Sequence, residues 1–334
     1  MDEHDLIRTY FAPLAGEGGL KLLDDAAIIE PSPSHDLVVS TDSFVEGVHF
    51  PMGHYGGNVA ERLLRTNLSD LAAKGARPIG YTLNLAWPKG IDIKWLKGFA
   101  AGLKDVQDQF SFHLLGGDTV ILDGPLVSSV TIFGQVPKGT MVQRAGAQAG
   151  DDIWVTGNLG QAKLGCDLAL GKTIHPKPAG DDLWHFEEAY WRPEIHLSLR
   201  QVLREKASSA LDISDGIIRD AGHICRASQI GMTLNFDALP LTNGTENWVE
   251  QQADPSLARQ ALFGFGDDYQ ILFTSDPGYR QSWFDLSRDR RIKLSLIGDV
   301  VKGDSVKCLD INGCLLYTSP SPRDRTRSRM PSSA

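Results

Sequence analysis

The chain of 334 residues lacks most of the features that would settle a function at sight. No apolar run reaches the roughly 18 residues a helix needs to cross a bilayer, so no membrane partner is expected. Cysteine is scarce, four residues with no Cys-x-x-Cys pair, which argues against a disulfide scaffold or a zinc ribbon. Excess positive charge is absent too. The formal charge of -9 speaks against a nucleic-acid partner, because backbone phosphates need a basic face. The first residues, Met1 to Phe11, are acidic and carry no apolar signal core, so the cytoplasm is the expected compartment. A phosphate-binding Walker loop is missing: Gly157-Asn158-Leu159-Gly160-Gln161-Ala162-Lys163 lacks Gly-Lys-Ser/Thr at the required spacing. It reads as a tight strand-to-helix turn.

What is present is a body of ordinary composition, 42% hydrophobic and 22% charged, long enough for two domains. Short apolar runs alternate with helical stretches, which predicts a mixed α/β architecture of the α+β type. Strands are expected at 37–41, 81–87, 126–136, 153–156, 211–213, 232–236 and 269–273. Helices are expected at 58–74, with Asn58 as N-cap and Gly75 at C′, at 91–110, after Gly160 and after Gly216. The segment 175–191 reads as a polar, interrupted insertion. Domains are expected at 1–138 and 139–313. From Cys314 on, the strings Cys314–Asp324 and Ser328–Ala334 resemble translated sequencing adapter, and 314–334 is expected to be a disordered tail. A natural Ser/Pro/Arg-rich tail would read alike.

The acids are unevenly chosen, 31 Asp against 11 Glu. Asp favours caps, turns and metal sites over solvated helix faces. Six segments share one grammar, an apolar run followed by small or hydroxylated residues and Asp: Leu23-Asp24-Asp25, Ser40-Thr41-Asp42, Leu68-Ser69-Asp70, Gly116-Gly117-Asp118, Asp212-Ile213-Ser214-Asp215 and Gly266-Asp267-Asp268. Each alone is ambiguous. Asp215 before Gly216 could be an N-cap, and Asp70 near a helix C-terminus could pair with Lys74. As a set, carboxylates and hydroxyls without a His/Cys cluster form a hard-cation inventory, favouring magnesium over zinc.

The order of strings DDAA, STDSFVEGVHF, NLSDLAAKGARP, GGDT, LDISDG and GDDYQILF resembles the thiamine-monophosphate kinase family, of the superfamily containing aminoimidazole ribonucleotide synthetase. The resemblance runs from Asp5 to about Val301. It implies a two-domain fold in which an N-terminal sheet domain dimerises, a C-terminal α/β domain follows, and ATP with several Mg2+ lies between them. It places Asp25, Ser40, Thr41, Asp42, Asp70, Asp118, Asp212 and Asp215 at magnesium positions, with Asp42, Asp70, Asp118 and Asp212 at the centre of catalysis. Gly117, Asp118, Arg144 and Ser214 fall at ATP positions. His49 and Asp267 fall at thiamine-monophosphate positions. The implied partners are thiamine monophosphate, ATP and a second copy of the chain.

Three departures from the family pattern stand out. Leu23 replaces a glycine, Asp267 replaces a glutamate, and the segment where the family carries a thiamine-stacking aromatic is the adapter-like tail. Two rival readings remain: the hydrogenase-maturation ATP-dependent dehydratase of the same superfamily, and a non-catalytic nucleotide- or thiamine-phosphate-binding protein. The kinase reading requires Asp25, Asp42, Asp70, Asp118 and Asp212 to converge on one cleft.

Overall fold

Alternation of buried and open positions, strict along Val127–Pro137, shapes the first sheet. In the computed structural model, which describes residues 5, 7–22, 26–30, 32–90, 92–310 and 312–319, four strands form it: β1 (His35–Val45), β2 (Arg77–Pro88), β3 (His113–Leu122) and β4 (Val127–Pro137). They pair in the order β1-β4-β2-β3. β4 runs antiparallel to both neighbours, and β2 and β3 are parallel. Parallel neighbours need a crossover, supplied here by a helix. Helix α1 (Gly56–Ala73) joins β1 to β2, and α2 (Ile93–Phe110) joins β2 to β3.

Both helices pack on one face of this sheet. Val130, Ile132 and Val136 on β4, and Tyr81, Leu83, Leu85 and Trp87 on β2, are buried there. Leu71 of α1 lies so close to Gly134 that a Cβ would meet it at 3.0 Å. The opposite face carries Thr41, Ser43 and the exposed Leu37, Val39 and Val120.

The helix ends follow their capping chemistry. α1 starts two residues before the expected Asn58 cap. Its end matches expectation: Gly75 takes φ 68°, the conformation that closes a helix on a C′ glycine. Asp92 caps α2 by accepting a hydrogen bond from the Lys94 backbone N–H at 2.9 Å.

Chain contacts divide the molecule into two units. One holds the chain up to Leu71 with Ala76–Met141; the other holds Ala72–Gly75 and continues from Val142. The second unit contains strands β5 (Asp152–Thr156), β6 (Ala207–Asp212), β7 (Gly231–Asn235), β8 (Ile271–Ser275), β9 (Leu294–Val301), β10 (Val306–Leu309) and β11 (Leu315–Ser319), in the order β11-β10-β7-β9-β5-β8-β6. Strands β5 and β8 are buried along their whole length, the pattern of a sheet covered on both faces. Helices α3 (Gln161–Ala169), α4 (Gly180–Trp191), α5 (Arg200–Lys206), α6 (Ile217–Ser228), α7 (Asn243–Glu250), α8 (Pro255–Phe263) and α9 (Arg280–Arg290) complete the unit. Ile217, Ala221, Ile224 and Cys225 of α6 join the main core with Met232, Leu234, Leu272 and Ile297.

Two expectations are corrected. Residues 175–191 are not an irregular insertion throughout. α4 forms within them because Phe186, Tyr190 and Trp191 supply a buried face, and Gly165 of α3 lets the Phe186 carbonyl approach to where a Cβ would meet it at 2.0 Å. Within the tail expected to be disordered from 314, Leu315–Ser319 form an antiparallel edge strand. β10 offers an open row of backbone groups there, a ready template for a further strand, and Leu316 packs against the core. Residues 320–334 lie outside the described ones, as do Leu23, Asp24 and Asp25.

Candidate functional site

In the first unit the acids are placed by strand alternation. Ser40 and Asp42 of β1 lie on the helix-bearing face, in register with Ile132 and Val130. Asp70 comes from the last turn of α1. The Ser40 hydroxyl donates to Asp70 Oδ2 at 2.6 Å, across 30 residues of sequence. Ser40 and Asp42 thus share one side of an edge strand, and Asp70 is tied to Ser40 there.

Thr41 points the other way. Its hydroxyl donates to the Val130 carbonyl at 3.0 Å and stands 3.1 Å from the Thr131 hydroxyl. Its hydroxyl therefore does not serve the side where Ser40 and Asp42 stand. Asp118 is also on this second face. The register aligns Asp118 with Asn84, Ser129 and Ser43, and aligns Asp42 with Val130, Leu83 and Gly117. β1 and β3 are opposite edges, three strand spacings or roughly 14 Å apart. Within the sheet of one chain, Asp42 and Asp118 therefore stand on opposite faces at opposite edges. A one-residue register shift, with Leu115 as the extra residue between Leu114 and Gly116, sets which face Asp118 takes.

Beside Asp118 lies a cavity of about 380 Å³, lined by Phe11, Leu22, Leu83 and Leu115 with Gly117 and Asp118 at its polar side. Gly117 is required by close approach: a Cβ there would lie 1.8 Å from the Leu83 carbonyl. An apolar pocket with few polar groups is the usual form of a small-molecule site. His49 stacks on Phe44 at 5.7 Å between ring centres. Its Nδ1 accepts the Val45 backbone N–H at 3.0 Å, which leaves the ring proton of the neutral imidazole on Nε2.

The second unit gathers its candidates on two loops. Asp212 ends β6 and is buried; Ser214 and Asp215 follow. Asp215 is not the N-cap of α6. Gly216 takes that place, and the Asp215 backbone N–H donates to Asp220 Oδ2 at 2.9 Å. The second loop, Gly266 to Gln270, is bonded to the first: Asp267 N–H donates to Ser214 O at 3.1 Å, Tyr269 N–H to Ile213 O at 2.9 Å, and Ile213 N–H to Gln270 O at 2.8 Å. Asp267 takes φ 63° and Tyr269 φ 51°, and the Tyr269 hydroxyl donates to Asp267 Oδ1 at 3.2 Å. Non-glycine residues at positive φ cost about 1–3 kcal/mol each and gather at functional sites.

Charge here is mixed. Asp215, Asp220 and His223 bring ligand-capable atoms within 4.8 Å of one another, with the Arg219 guanidinium 4.0 Å from Asp215. Burial first, then the neighbouring Asp215 carboxylate, pushes the Asp220 carboxyl up to about 7, against the pull of N–H donors and Arg144. Burial, with Arg226 and Arg144 nearby, pulls His223 down. Arg144 thus acts on both groups.

The family "AIR synthase related protein, N-terminal domain" matches residues 23–136. A thiamine-monophosphate kinase of Caulobacter vibrioides is 39% identical over 287 residues, covering 86% of this chain and 80% of that protein. The chain belongs to the thiamine-monophosphate kinase family. The crystal structure of thiamine-monophosphate kinase from Stenotrophomonas maltophilia superimposes with TM-score 0.79 at 33% identity, over 91% of this chain and 94% of that one. AaThiL complexed with AMPPCP and TMP gives TM-score 0.73 at 27% identity, over 92% and 93% of the two chains. Hydrogenase maturation protein HypE of Escherichia coli, at 19% identity and TM-score 0.75, shares the fold alone.

Within this kinase family the sequence motifs mark Asp215 and Asp267, but not the residues behind them. Asp220 and His196 escaped sequence reasoning, whereas Asp268 and Gln270 entered it only as part of the string GDDYQILF. Asp220 carries one local signal, an acid five residues after Asp215 at the start of an otherwise apolar helix face. His196 carries none, because its partner Gln270 is 74 residues away.

Proposed function

We propose that this chain transfers the γ-phosphoryl group of ATP to the phosphate of thiamine monophosphate, giving thiamine diphosphate and ADP in one in-line step. The observation that carries the reading is the Ser40–Asp70 hydrogen bond, with Asp42 on the same face of the strand as Ser40, in the same unit as the cavity at Gly117 and Asp118. Nucleophile and electrophile are both anions. Two unit charges 4 Å apart repel by about 1 kcal/mol in water and about 4 kcal/mol at an effective dielectric of 20. Carboxylates alone would deepen that repulsion, so the set is useful only with cations.

Hard oxygen donors without sulfur or imidazole suit magnesium. When bound, several magnesium ions would neutralise both phosphates and draw them into line. Ser40, Asp42 and Asp70 would hold such ions in the first unit, and Asp212 and Asp215 in the second. Asp25, at a family magnesium position, completes the expected set. Ser40 orients Asp70 by its hydrogen bond. The cavity takes the adenine, with Gly117 admitting the ligand against backbone. Arg144 offers a two-pronged donor to a phosphate, and Ser214 binds beside it. His49, with its proton on Nε2, donates to the thiamine monophosphate, and Asp267 binds its cationic part. No general base is needed, since the attacking phosphate oxygen is already ionised.

The reading includes a homodimer in the cytoplasm. β1 and β3 are sheet edges, and Leu37, Val39 and Val120 expose apolar surface on the face away from the helices. A second copy covering that face would bury it. Pairing of β1 of one chain with β3 of the other would also remove both open edges of the sheet.

The test is ADP release from Mg-ATP by the purified chain with thiamine monophosphate, free thiamine or no acceptor. Release dependent on thiamine monophosphate is expected. Turnover with free thiamine would identify a different kinase, and binding of both ligands without turnover would identify a non-catalytic binding protein.

A further inference from the structure

Behind the Asp267 loop lies a buried polar chain that the proposed chemistry does not use. It begins at the Ile271 backbone N–H, which donates to Thr156 Oγ1 at 2.9 Å. Thr156 must then send its own proton elsewhere, and its hydroxyl donates to Gln270 Oε1 at 2.9 Å. The same Oε1 stands 2.7 Å from His196 Nε2. An acceptor already taking one donor fixes the amide orientation, so His196 carries its proton on Nε2 and donates it. All three side chains are buried, Thr156 fully and His196 and Gln270 at 4% and 5% exposure. The neighbouring Asp268 carboxylate is buried too and accepts the Gly160 N–H at 2.8 Å.

This arrangement is expensive for a structural purpose alone. Thr156, His196 and Gln270 place polar atoms in a core that apolar side chains could fill. The loop they hold is strained at Asp267 and Tyr269, and it is bonded to Ile213 and Ser214 by three backbone hydrogen bonds. A loop at positive φ stays put only where its surroundings over-determine it. Gln270 is a side chain that ties the loop to β5 through Thr156, and His196 is the second donor to the same Gln270 oxygen.

We propose that His196 is a positioning residue, which through Gln270 fixes the Gly266–Gln270 loop and with it the Asp267 carboxylate, and keeps that loop in register with the Ile213–Ser214 segment. The proposal rests on the reading above for the role of Asp267 as a substrate contact. It makes the acceptor and nucleotide subsites of this unit one mechanical piece, joined by the Asp267-to-Ser214 hydrogen bond.

The test compares His196→Phe, which keeps a ring and loses the donor, with His196→Gln, which keeps a donor. His196→Phe should raise the KM for thiamine monophosphate about tenfold, the effect of one lost buried hydrogen bond, with a smaller change in the KM for ATP. His196→Gln should restore most of it. Equal changes in both KM values, accompanied only by a lower Tm, would overturn the proposal. Amide hydrogen exchange gives a readout that needs no turnover: protection at Ile213, Asp267 and Tyr269 should fall together in His196→Phe and recover in His196→Gln. Unchanged protection there would overturn the positioning role whatever the substrate is, whereas absent turnover of the wild type on thiamine monophosphate would overturn only the activity. Should His196→Phe not fold, imidazole 15N spectra of the wild type decide. A proton on Nε2 and a shift of that resonance on adding thiamine monophosphate are expected; a proton on Nδ1, or no response, would refute it.

Discussion

The two units hold their acids by different means. In the first, Ser40, Thr41 and Asp42 are consecutive residues of one strand, and alternation sends Thr41 to the face opposite its neighbours. A regular element decides position there, with a cross-link from Ser40 to Asp70. In the second, Ser214, Asp215 and Asp267 sit on loops that no regular element places. Backbone bonds between the loops, strained φ angles and a buried side-chain chain do that work instead. Rigidity borrowed from a strand tolerates substitution of neighbours, whereas rigidity assembled from single contacts is lost with any of them.

Changes at the chemistry should be largest. Asp70→Asn keeps an acceptor for Ser40 but removes the charge, and kcat should fall by about 10²–10³, the scale for loss of one electrostatic contact to the transition state. Steady-state kinetics at saturating magnesium would show it, with Tm little changed. Gly266→Ala attacks the loop design directly. Gly266 takes φ 90°, and a Cβ would lie 2.3 Å from the Ser214 carbonyl, so unfolding free energy should drop by about 2–4 kcal/mol. Denaturant unfolding measures this. An alanine at a strand position of the first unit, such as Ser43, should cost far less.

Asp220 gives the comparison a pH axis. Its carboxyl titrates near 7 when folded, above the ordinary 3.8. Below 3.8 both states are protonated and nothing is lost. Between there and 7 the unfolded chain ionises more readily, so wild-type stability declines by about 4 kcal/mol at most and levels off above 7. Asp220→Asn retains an acceptor for the Asp215 N–H and has no such decline. Unfolding measured from pH 4 to 8 with a chelator present should show the two proteins diverging as pH rises.

Smaller effects test reach and register. Asp267→Glu adds one methylene, about 1.5 Å, and should lower the KM for thiamine monophosphate a few-fold. An unchanged KM would mean that Asp267 does not touch the substrate. Thr41→Val should be the mildest, changing kcat by less than about threefold, since its hydroxyl bonds to Val130 and Thr131 on the other face. A large loss would show that the hydroxyl, and not the backbone carbonyl, serves a cation.

Much of this was legible in the sequence where period alone decides. The strands and helices near 37–41, 58–74, 91–110 and 153–156 were expected from apolar spacing, and Gly75 from its place after α1. The placement of Asp118 was not legible, because the Leu115 register shift depends on pairing with β2. Strand 269–273 was expected too early: Tyr269 and Gln270 read as strand residues, but their backbone is spent on Ile213. α4 was hidden because its polar residues outnumber the three aromatics that bury it. His196 and Asp220 were silent for a common reason, since a buried polar residue announces itself only through its partners.

The most direct test of the central claim is 31P NMR of the purified chain with Mg-ATP and thiamine monophosphate. The ATP γ resonance should disappear while ADP and the paired resonances of thiamine diphosphate grow in equal amount, and only with a divalent cation present. Growth of inorganic phosphate alone, or product formation that survives complete chelation, would contradict it.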